Sequence, residues 1–206
     1  MQSITLEAMK TGENIFLTGS AGTGKSHVLK QYINYLRDNK IFPAIVALTG
    51  IAASHLKGKT IHSYFSLGRK NSVSAVQINE MLEKKYLKNR FLDLDVLIID
   101  EISMVPPTIL DGINDILKAF KKSTKPFGGV QVIAAGDFFQ LPPVYKEVPI
   151  DNKRFAWQAE SWREANFQTC YLQKKYRQDE QELIDVLDAI RENNITQDTH
   201  KFLNSR

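Results

Sequence analysis

The feature that most constrains the fold of this chain is a glycine-rich segment near its amino terminus, Gly19–Ser26. Its sequence, GSAGTGKS, matches the pattern G-x-x-x-x-G-K-[ST] at every fixed position. A short apolar run, Ile15–Leu17, precedes the segment, and a stretch with helical spacing begins at Lys25. This strand–loop–helix order predicts a loop whose backbone N–H groups surround a phosphate at a helix N-terminus.

The predicted loop is an ATP site with Mg²⁺ as its metal. We expect Lys25 to reach the β- and γ-phosphates and the Ser26 hydroxyl to ligate Mg²⁺. A glycine-rich turn with no ligand is the competing interpretation, and the complete match in a strand–helix context disfavours it. The predicted nucleotide-binding residues of the loop are Gly19, Ser20, Ala21, Gly22, Thr23, Gly24, Lys25 and Ser26.

The rest of the chain alternates short apolar runs with amphipathic stretches. Runs of this length between turn residues are typical of strands buried on both faces, and the stretches between them predict helices. The chain is therefore expected to be an α/β protein, with a mainly parallel sheet and helices on both faces. The predicted strands are Ile15–Leu17, Ala44–Leu48, Val96–Ile99, Val130–Ala135 and Phe167–Leu172, and the clearest helices are Lys25–Asn39 and Pro107–Phe120.

One polar stretch interrupts this alternation. Residues Leu67–Arg90 carry a single predicted helix, Val76–Lys88, and are expected to form a small insertion on the sheet. After Leu172 a last helix is predicted at about Asp179–Arg191.

Two adjacent carboxylates follow the apolar run Val96–Ile99. Asp100 and Glu101 would lie at the carboxyl end of a buried strand, beside the phosphate loop. Asp100 is predicted to hold Mg²⁺, and Glu101 to orient and deprotonate the attacking water. Two acids at a solvated strand end by chance are the competing interpretation, which the loop upstream disfavours.

A third signal follows the run Val130–Ala135, in the segment GDFFQLPPV. Gln140 stands where a strand end would face the nucleotide, so it is a candidate γ-phosphate sensor. The two prolines after it are expected to stiffen the loop. Phe138 and Phe139 are adjacent, and core packing is the expected role of one of them.

The composition excludes several other classes of protein. The single cysteine, Cys170, rules out an internal disulfide and a multi-cysteine metal site, and the four histidines lack the spacing of a zinc site. No apolar run approaches the roughly 18 residues of a membrane span, and the first residues do not resemble a secretory signal. A net charge of +4 is compatible with a nucleic-acid partner but does not show one.

Taken together, these segments resemble the PIF-type DNA helicases, superfamily-one motors that move 5′ to 3′ on single-stranded DNA. The segments that carry the resemblance follow the family's order and extend from Gln2 to about Arg191. The GDFFQLPPV run after DEISM is highly specific to this family. The resembling segments are TGSAGTGKS, LTGIAASHLKGKTIHSYF, LIIDEISMV, PFGGVQVIAAGDFFQLPPV and LQKKYRQDEQELIDVLDAIR.

The resemblance implies further roles, residue by residue. Gln2, seventeen positions before Gly19, stands where the family has an adenine-reading glutamine. Arg177 stands where the family has an arginine that reaches the γ-phosphate across a cleft between two RecA-like domains. An exposed arginine at a helix start is its alternative. Four residues fall in segments similar to the family's single-strand DNA contacts: Thr49, Gly50, His62 and Ser63. For His62, a buried and hydrogen-bonded histidine is the alternative.

Basic residues and aromatic residues suggest where DNA would lie. Phosphates attract Lys and Arg, and bases stack on aromatic rings, for which Tyr64, Phe65 and Tyr86 are the candidates. A charge run is more often a solvated face, and this alternative stays open for both basic clusters. The first cluster overlaps the insertion and comprises Lys57, Lys59, Arg69, Lys70, Lys84, Lys85, Lys88 and Arg90, and the second comprises Lys118, Lys121, Lys122 and Lys125.

The resemblance also implies a domain organisation. Residues 1–171 are expected to form a RecA-like ATPase domain with an accessory insertion at about 67–91, and residues 172–206 the linker and start of a second, truncated RecA-like domain. The chain is thus expected to be a fragment of a longer helicase, with that second domain as its partner. Single-stranded, forked or structured DNA is the expected substrate, and DNA repair, recombination and telomere maintenance are the implied processes. Such a protein is expected inside the cell, in the cytoplasm of a bacterium or in the nucleus or mitochondrion of a eukaryote.

Three other functions remain open from the sequence. A RecD-like helicase subunit belongs to the same class of motor. A non-translocating module would bind nucleotide or DNA only as a regulator. A P-loop kinase for a small molecule would need a lid with clustered arginines, whereas the arginines here are spread along the chain.

Overall fold

The structure is a computed structural model, and it describes residues 2–68, 72–145, 153–174 and 181–205. Helices and strands alternate along most of this length. The strands are β1 (Ile15–Thr18), β2 (Ala44–Ala47), β3 (Lys59–Thr60), β4 (Val96–Asp100), β5 (Gln131–Ala135) and β6 (Gln168–Tyr171). The α-helices are α1 (Gln2–Lys10), α2 (Lys25–Asp38), α3 (Gly50–His55), α4 (Ile61–Tyr64), α5 (Ala75–Leu82), α6 (Lys85–Leu92), α7 (Pro107–Lys121), α8 (Glu160–Ala165), α9 (Gln181–Arg191) and α10 (Gln197–Asn204).

The strands form one parallel sheet in the order β3-β2-β4-β5-β1-β6. The register pairs Leu17 with Ala135 and Ala47 with Asp100, so the carboxyl ends of the central strands lie at one edge. This edge is where an open α/β sheet binds its ligands. The predicted α/β fold is therefore confirmed.

Alternate residues of the strands supply two separate cores. Ile15, Leu17 and Ile98 pack with the apolar stripe of α2 on one face, while Leu97 and Val132 pack with α7 on the other. Burial on both faces explains why the central strands are nearly uninterrupted apolar runs.

All five predicted strands are present, within two residues of their predicted ends. The sixth strand, β3, was not predicted because its two residues, Lys59 and Thr60, form no apolar run. It lies at the edge of the sheet, where one flank has no neighbouring strand to bury it. The helix α10 was also not predicted.

The insertion departs from its prediction in one respect. The single helix Val76–Lys88 is wrong: the structure has two helices, α5 and α6, separated at Glu83 and Lys84. Met81 is buried from α5, and Leu87 from α6. A continuous helix would place these two side chains, six residues apart, about 120° from each other around the helix axis. The break turns both toward the same core.

The insertion packs against α7 and shares its apolar core. A Cβ atom at Gly112 of α7 would lie 2.5 Å from Cγ2 of Val73, so any larger residue there would have to displace the Val73 side chain. Both α5 and α6 contact α7. The predicted division of the chain after residue 171 coincides with the end of β6, and it stays a prediction.

No helix in the described part of the chain is long and apolar enough to span a membrane.

A buried amide ties α1 to the sheet. The Nε2 atom of Gln131 donates to the carbonyl oxygens of Met9, at 2.8 Å, and Glu13, at 2.7 Å. Its Oε1 accepts from the hydroxyl of Tyr32 at 2.7 Å. The amide thus satisfies the buried hydroxyl of Tyr32, the buried carbonyl oxygen of Met9 and the half-buried carbonyl oxygen of Glu13.

We expect Gln131→Leu to lower the free energy of unfolding by about 2–5 kcal/mol, because it removes three hydrogen bonds and leaves the buried Tyr32 hydroxyl and Met9 carbonyl oxygen without this partner. Tyr32→Phe is the matched comparison. It removes one of the same hydrogen bonds and should cost about 1 kcal/mol. Urea denaturation of both variants measures the difference, and equal losses would contradict the proposed role of the amide.

Candidate nucleotide site

The glycine-rich segment forms a tight loop between β1 and α2, as its sequence predicts. Gly19 has a φ of 148°, and a Cβ atom there would lie 2.5 Å from the carbonyl oxygen of Leu172. Only glycine fits this approach to the chain that follows β6. Gly24, at the start of α2, has a φ of 89°, in the left-handed region that favours glycine. The loop thus presents the N-terminus of α2 toward the carboxyl edge of the sheet.

The side chain of Lys25 folds back over this loop. Its Nζ donates to the carbonyl oxygens of Gly19, at 2.8 Å, and Ser20, at 3.2 Å. Burial lowers the pKa of Lys25, while the charges of Asp137, Glu101 and Asp100 act in the opposite direction. The amino group therefore lies near three carboxylates. We expect phosphate oxygens to replace the two carbonyl oxygens as its hydrogen-bond partners when nucleotide binds.

Asp100 and Glu101 lie beside the loop at the end of β4. Asp100 is buried, and its Oδ1 accepts from the backbone N–H of Glu101 at 3.0 Å. Burial, together with the neighbouring charge of Glu101, raises the pKa of Asp100 to about 6. A buried carboxylate of this kind is poorly compensated until a cation arrives.

The backbone at Glu101 is unusual. It has φ 52° and ψ 49°, the left-handed region that non-glycine residues rarely adopt. The chain turns there from β4 into a short 3₁₀ helix, Ile102–Met104. Strain of this type often marks a functional position, and no feature of the sequence signalled it.

Three of the predicted catalytic residues, Lys25, Glu101 and Gln140, line one cavity of about 440 Å³. Lys25 and Ser26 meet Glu101 and Gln140 there, although the four come from three parts of the chain. His55, at the end of α3, also lines it. Sequence reasoning missed this residue, although it lies in the segment GIAASH that carried the family resemblance.

The residues present fit a magnesium nucleotide. The hydroxyl of Ser26 and the carboxylate of Asp100 are hard oxygen donors of the kind Mg²⁺ prefers. The backbone of the loop and Lys25 supply positive charge for phosphates. Gln2 begins α1, and its Nε2 lies 3.4 Å from the carbonyl oxygen of Thr23 in the loop. The predicted adenine-reading glutamine is therefore beside the loop.

Gln140 is held by a residue that the sequence analysis did not assign. Its Nε2 donates to Oδ2 of Asp137 at 3.1 Å. Phe138 packs against Phe16 and Trp162, whereas the ring of Phe139 is exposed. One of the two phenylalanines is thus a core residue, as expected. Arg177 lies outside the described residues.

The candidate DNA contacts lie around α3 and α4. The side chain of Thr49 caps α3 by accepting from the N–H of Ala52 at 3.2 Å, and Gly50 is exposed. His62 is partly exposed and Ser63 is exposed. DNA contact by any of these four residues stays a prediction.

The prediction that Phe65 is a platform for bases is wrong in this structure. Its ring is fully buried and stacks on Phe91, with centroids 5.3 Å apart. Tyr64 is partly buried beside it, while Tyr86 is exposed. Exposed aromatic rings cannot be told from buried ones by sequence position alone.

Several basic residues of the two clusters have partners within the fold. Arg90 donates to the carbonyl oxygen of Tyr64 at 2.5 Å and lies over the ring of Tyr86, 5.6 Å from its centroid. In the second cluster, Lys118 pairs with Glu164 at 2.7 Å. Arg69 and Lys70 lie outside the described residues. DNA binding by either cluster stays a prediction.

A family model described as PIF1-like helicase matches residues 1–201. The chain belongs to the PIF1-like helicase family. The ATP-dependent DNA helicase Pif1 of Psychrobacter is 46% identical over 177 residues, which are 86% of this chain and 27% of that relative.

Solved PIF1-like structures agree with this membership. The crystal structure of Pif1 helicase from Candida albicans has a TM-score of 0.86 and 39% identity, and the match covers 97% of this chain and 45% of that one. Pif1 helicase from Bacteroides, in complex with ADP-AlF3 and single-stranded DNA, has a TM-score of 0.82 and 37% identity, over 96% of this chain and 47% of that one. The chain thus spans about a quarter of the curated relative and under half of each solved one.

The raised pKa of Asp100 predicts how the free energy of unfolding depends on pH. The carboxyl titrates near pH 3.8 when unconstrained and near 6 in the fold, so stability falls as the pH rises between these values. In the 206-residue chain without nucleotide, Asp100→Asn should therefore raise the free energy of unfolding at pH 7.5, by up to about 3 kcal/mol. Urea denaturation measures the gain.

The gain should shrink as the pH is lowered from 7.5 to 5. Asp95→Asn is the matched control, because Asp95 is exposed, and it should change stability little at either pH. A destabilised Asp100→Asn variant, or a gain that does not depend on pH, would contradict the assignment.

Proposed function

We propose that this chain is the ATP-binding and hydrolysing core of a DNA helicase that translocates 5′ to 3′ on single-stranded DNA. The observation that carries the proposal is the meeting of Lys25, Glu101 and Gln140 around one cavity, beside the buried carboxylate of Asp100. A cavity with these groups has the components for phosphoryl transfer to water.

Each residue has a defined part in the proposed reaction. The loop 19–26 and Lys25 bind the phosphates, and Gln2 reads the adenine. Ser26 and Asp100 hold Mg²⁺, which when bound neutralises charge on the β- and γ-phosphates. Glu101 orients the attacking water and takes its proton on a carboxylate oxygen. Gln140 senses the γ-phosphate, and Arg177 is proposed to stabilise its charge in the transition state.

The DNA side of the proposal rests on the relatives and on the surface near α3 and α4. A similar Bacteroides protein has been solved with single-stranded DNA. Thr49 and Gly50 follow β2 directly, and His62 and Ser63 follow β3, so all four lie near the carboxyl edge of the sheet. DNA contacts there would lie on the same edge as the nucleotide cavity. Forked or structured DNA, and a site of action inside the cell, belong to this proposal.

Two substitutions test the nucleotide chemistry. In the full-length protein, Lys25→Ala should abolish nucleotide binding and ATP hydrolysis, because it removes the cation that binds the β- and γ-phosphates. Glu101→Gln should keep nucleotide binding and lower turnover by about 10²–10⁴-fold, the usual contribution of a general base. Phosphate release and the binding of a fluorescent nucleotide give the two readouts.

Glu160→Gln is the control for Glu101→Gln, since Glu160 is exposed on α8 and should be silent. Normal turnover in Glu101→Gln would remove Glu101 from its role as the base.

A second experiment tests the division of labour between this chain and the rest of a longer helicase. Transition-state stabilisation by arginines is worth about 10³–10⁵-fold in rate, and the proposal has Arg177 act across a cleft that needs two RecA-like domains. The 206-residue chain should bind magnesium nucleotide but show little DNA-stimulated hydrolysis and no unwinding. Hydrolysis by this chain and by the full-length protein, with and without single-stranded DNA, measures the difference.

Robust unwinding by the 206-residue chain would contradict that division. Nucleotide and DNA binding without hydrolysis in the full-length protein would instead favour the non-translocating regulatory module. Co-purification with a nuclease subunit would favour the RecD-like alternative.

A further inference from the structure

One buried carboxylate next to the cavity collects hydrogen-bond donors from three directions. Asp137, two residues after β5, is 1% exposed. Its Oδ1 accepts from the backbone N–H of Phe139 at 3.1 Å, and its Oδ2 accepts from Nε2 of Gln140 at 3.1 Å. Oδ2 also accepts from Nη1 of Arg191. The proposed γ-phosphate sensor and this arginine therefore share one oxygen atom.

Arg191 is the last residue of α9, 54 positions after Asp137 in the chain. Its guanidinium lies over the exposed ring of Phe139, 4.4 Å from the centroid, and its Nη2 is 3.5 Å from the hydroxyl of Tyr171. The side chain is only 17% exposed. One arginine thus fastens the end of α9 to the loop that carries Gln140 and to the end of β6.

The charges of this group extend to the catalytic lysine. Burial acts to raise the pKa of Asp137, but hydrogen bonds from Arg191, Phe139 and Gln140 outweigh it and lower the pKa, so the carboxylate is ionised. Asp137 acts to raise the pKa of Lys25, and Arg191 acts to lower it. Without Arg191, the buried carboxylate of Asp137 would lose its paired cation and would attract the ammonium group of Lys25 instead.

We propose that Arg191 is a positioning residue for the γ-phosphate sensor: by holding Asp137 it sets the orientation of Gln140 and leaves Lys25 free to bind phosphate. The proposal rests on ATP hydrolysis at this site. It makes the end of α9 part of the machinery that detects the γ-phosphate, with Arg191 acting through Asp137.

The test is steady-state ATP hydrolysis by the full-length protein, together with binding of ADP and of ADP-AlF4. Arg191→Gln should lower kcat by about 10–100-fold, the range for a misplaced catalytic group. It should weaken the binding of ADP-AlF4, which mimics the γ-phosphoryl group during transfer. The affinity for ADP should stay within about twofold, a change of only a few tenths of a kcal/mol. Arg191→Lys should recover part of kcat, because it restores the charge without the paired geometry.

The double variant Arg191→Gln with Gln140→Ala tests whether Arg191 acts on hydrolysis through Gln140. If Arg191 acts through Gln140, the double variant loses no more kcat than Gln140→Ala alone. Arg163→Gln is the matched control, because this arginine is exposed on α8 and its side chain pairs at the surface with Glu160, at 3.9 Å, so it should behave as the unsubstituted protein.

Three outcomes would overturn the proposal: unchanged kcat in Arg191→Gln, losses of kcat that multiply in the double variant, or ADP binding that weakens as much as ADP-AlF4 binding. If Arg191→Gln fails to fold, the double variant Arg191→Gln with Asp137→Asn removes both charges of the ion pair. Its kcat is then compared with that of Asp137→Asn alone, and a further loss of kcat in the double variant would contradict the proposal. Absence of hydrolysis in the unsubstituted full-length protein would instead defeat the proposed function.

Discussion

The parallel register of the sheet is the constraint on which the rest of the structure depends. Because every strand runs in the same direction, the loops that follow β1, β4 and β5 leave the sheet at one edge. The phosphate loop, the acid pair and the glutamine loop are each attached to a different one of these strands. Their distances in the chain are long, and their separation in space is short. The close approach of Gly19 to the carbonyl oxygen of Leu172 then fixes the loop against the chain after β6.

This edge concentrates charge that is uncompensated in the absence of a ligand. Asp100 is buried with a raised pKa, and the side chain of Lys25 donates to backbone carbonyl oxygens of the loop. Such groups cost stability until phosphate and metal neutralise them. The two extensive cores on either side of the sheet supply the stability that the edge lacks. The division between a stable interior and a strained edge is typical of a site that must bind and release its ligand.

The sequence predicted the parts of this molecule that local chemistry determines. The loop 19–26 and the strand before Asp100 could be assigned because glycine positions and apolar runs leave few alternatives. The strand β3 was missed because an edge strand of two polar residues has no hydrophobic pattern. The buried position of Phe65 and the left-handed backbone of Glu101 both depend on tertiary packing. Asp137 was overlooked because its significance comes from Arg191, which reaches it from a distant helix.

The contact between Val73 and Gly112 fixes the insertion against α7, and Met81 and Leu87 of the insertion share one apolar core with the sheet. The nucleotide cavity lies at the ends of the strands, and none of the described residues of the insertion lines it. A change in the exposed surface of the insertion therefore leaves the lining of that cavity in place. Evolution can vary the outer surface of the insertion, and with it any partner that the surface recognises, while the ATP chemistry stays constant.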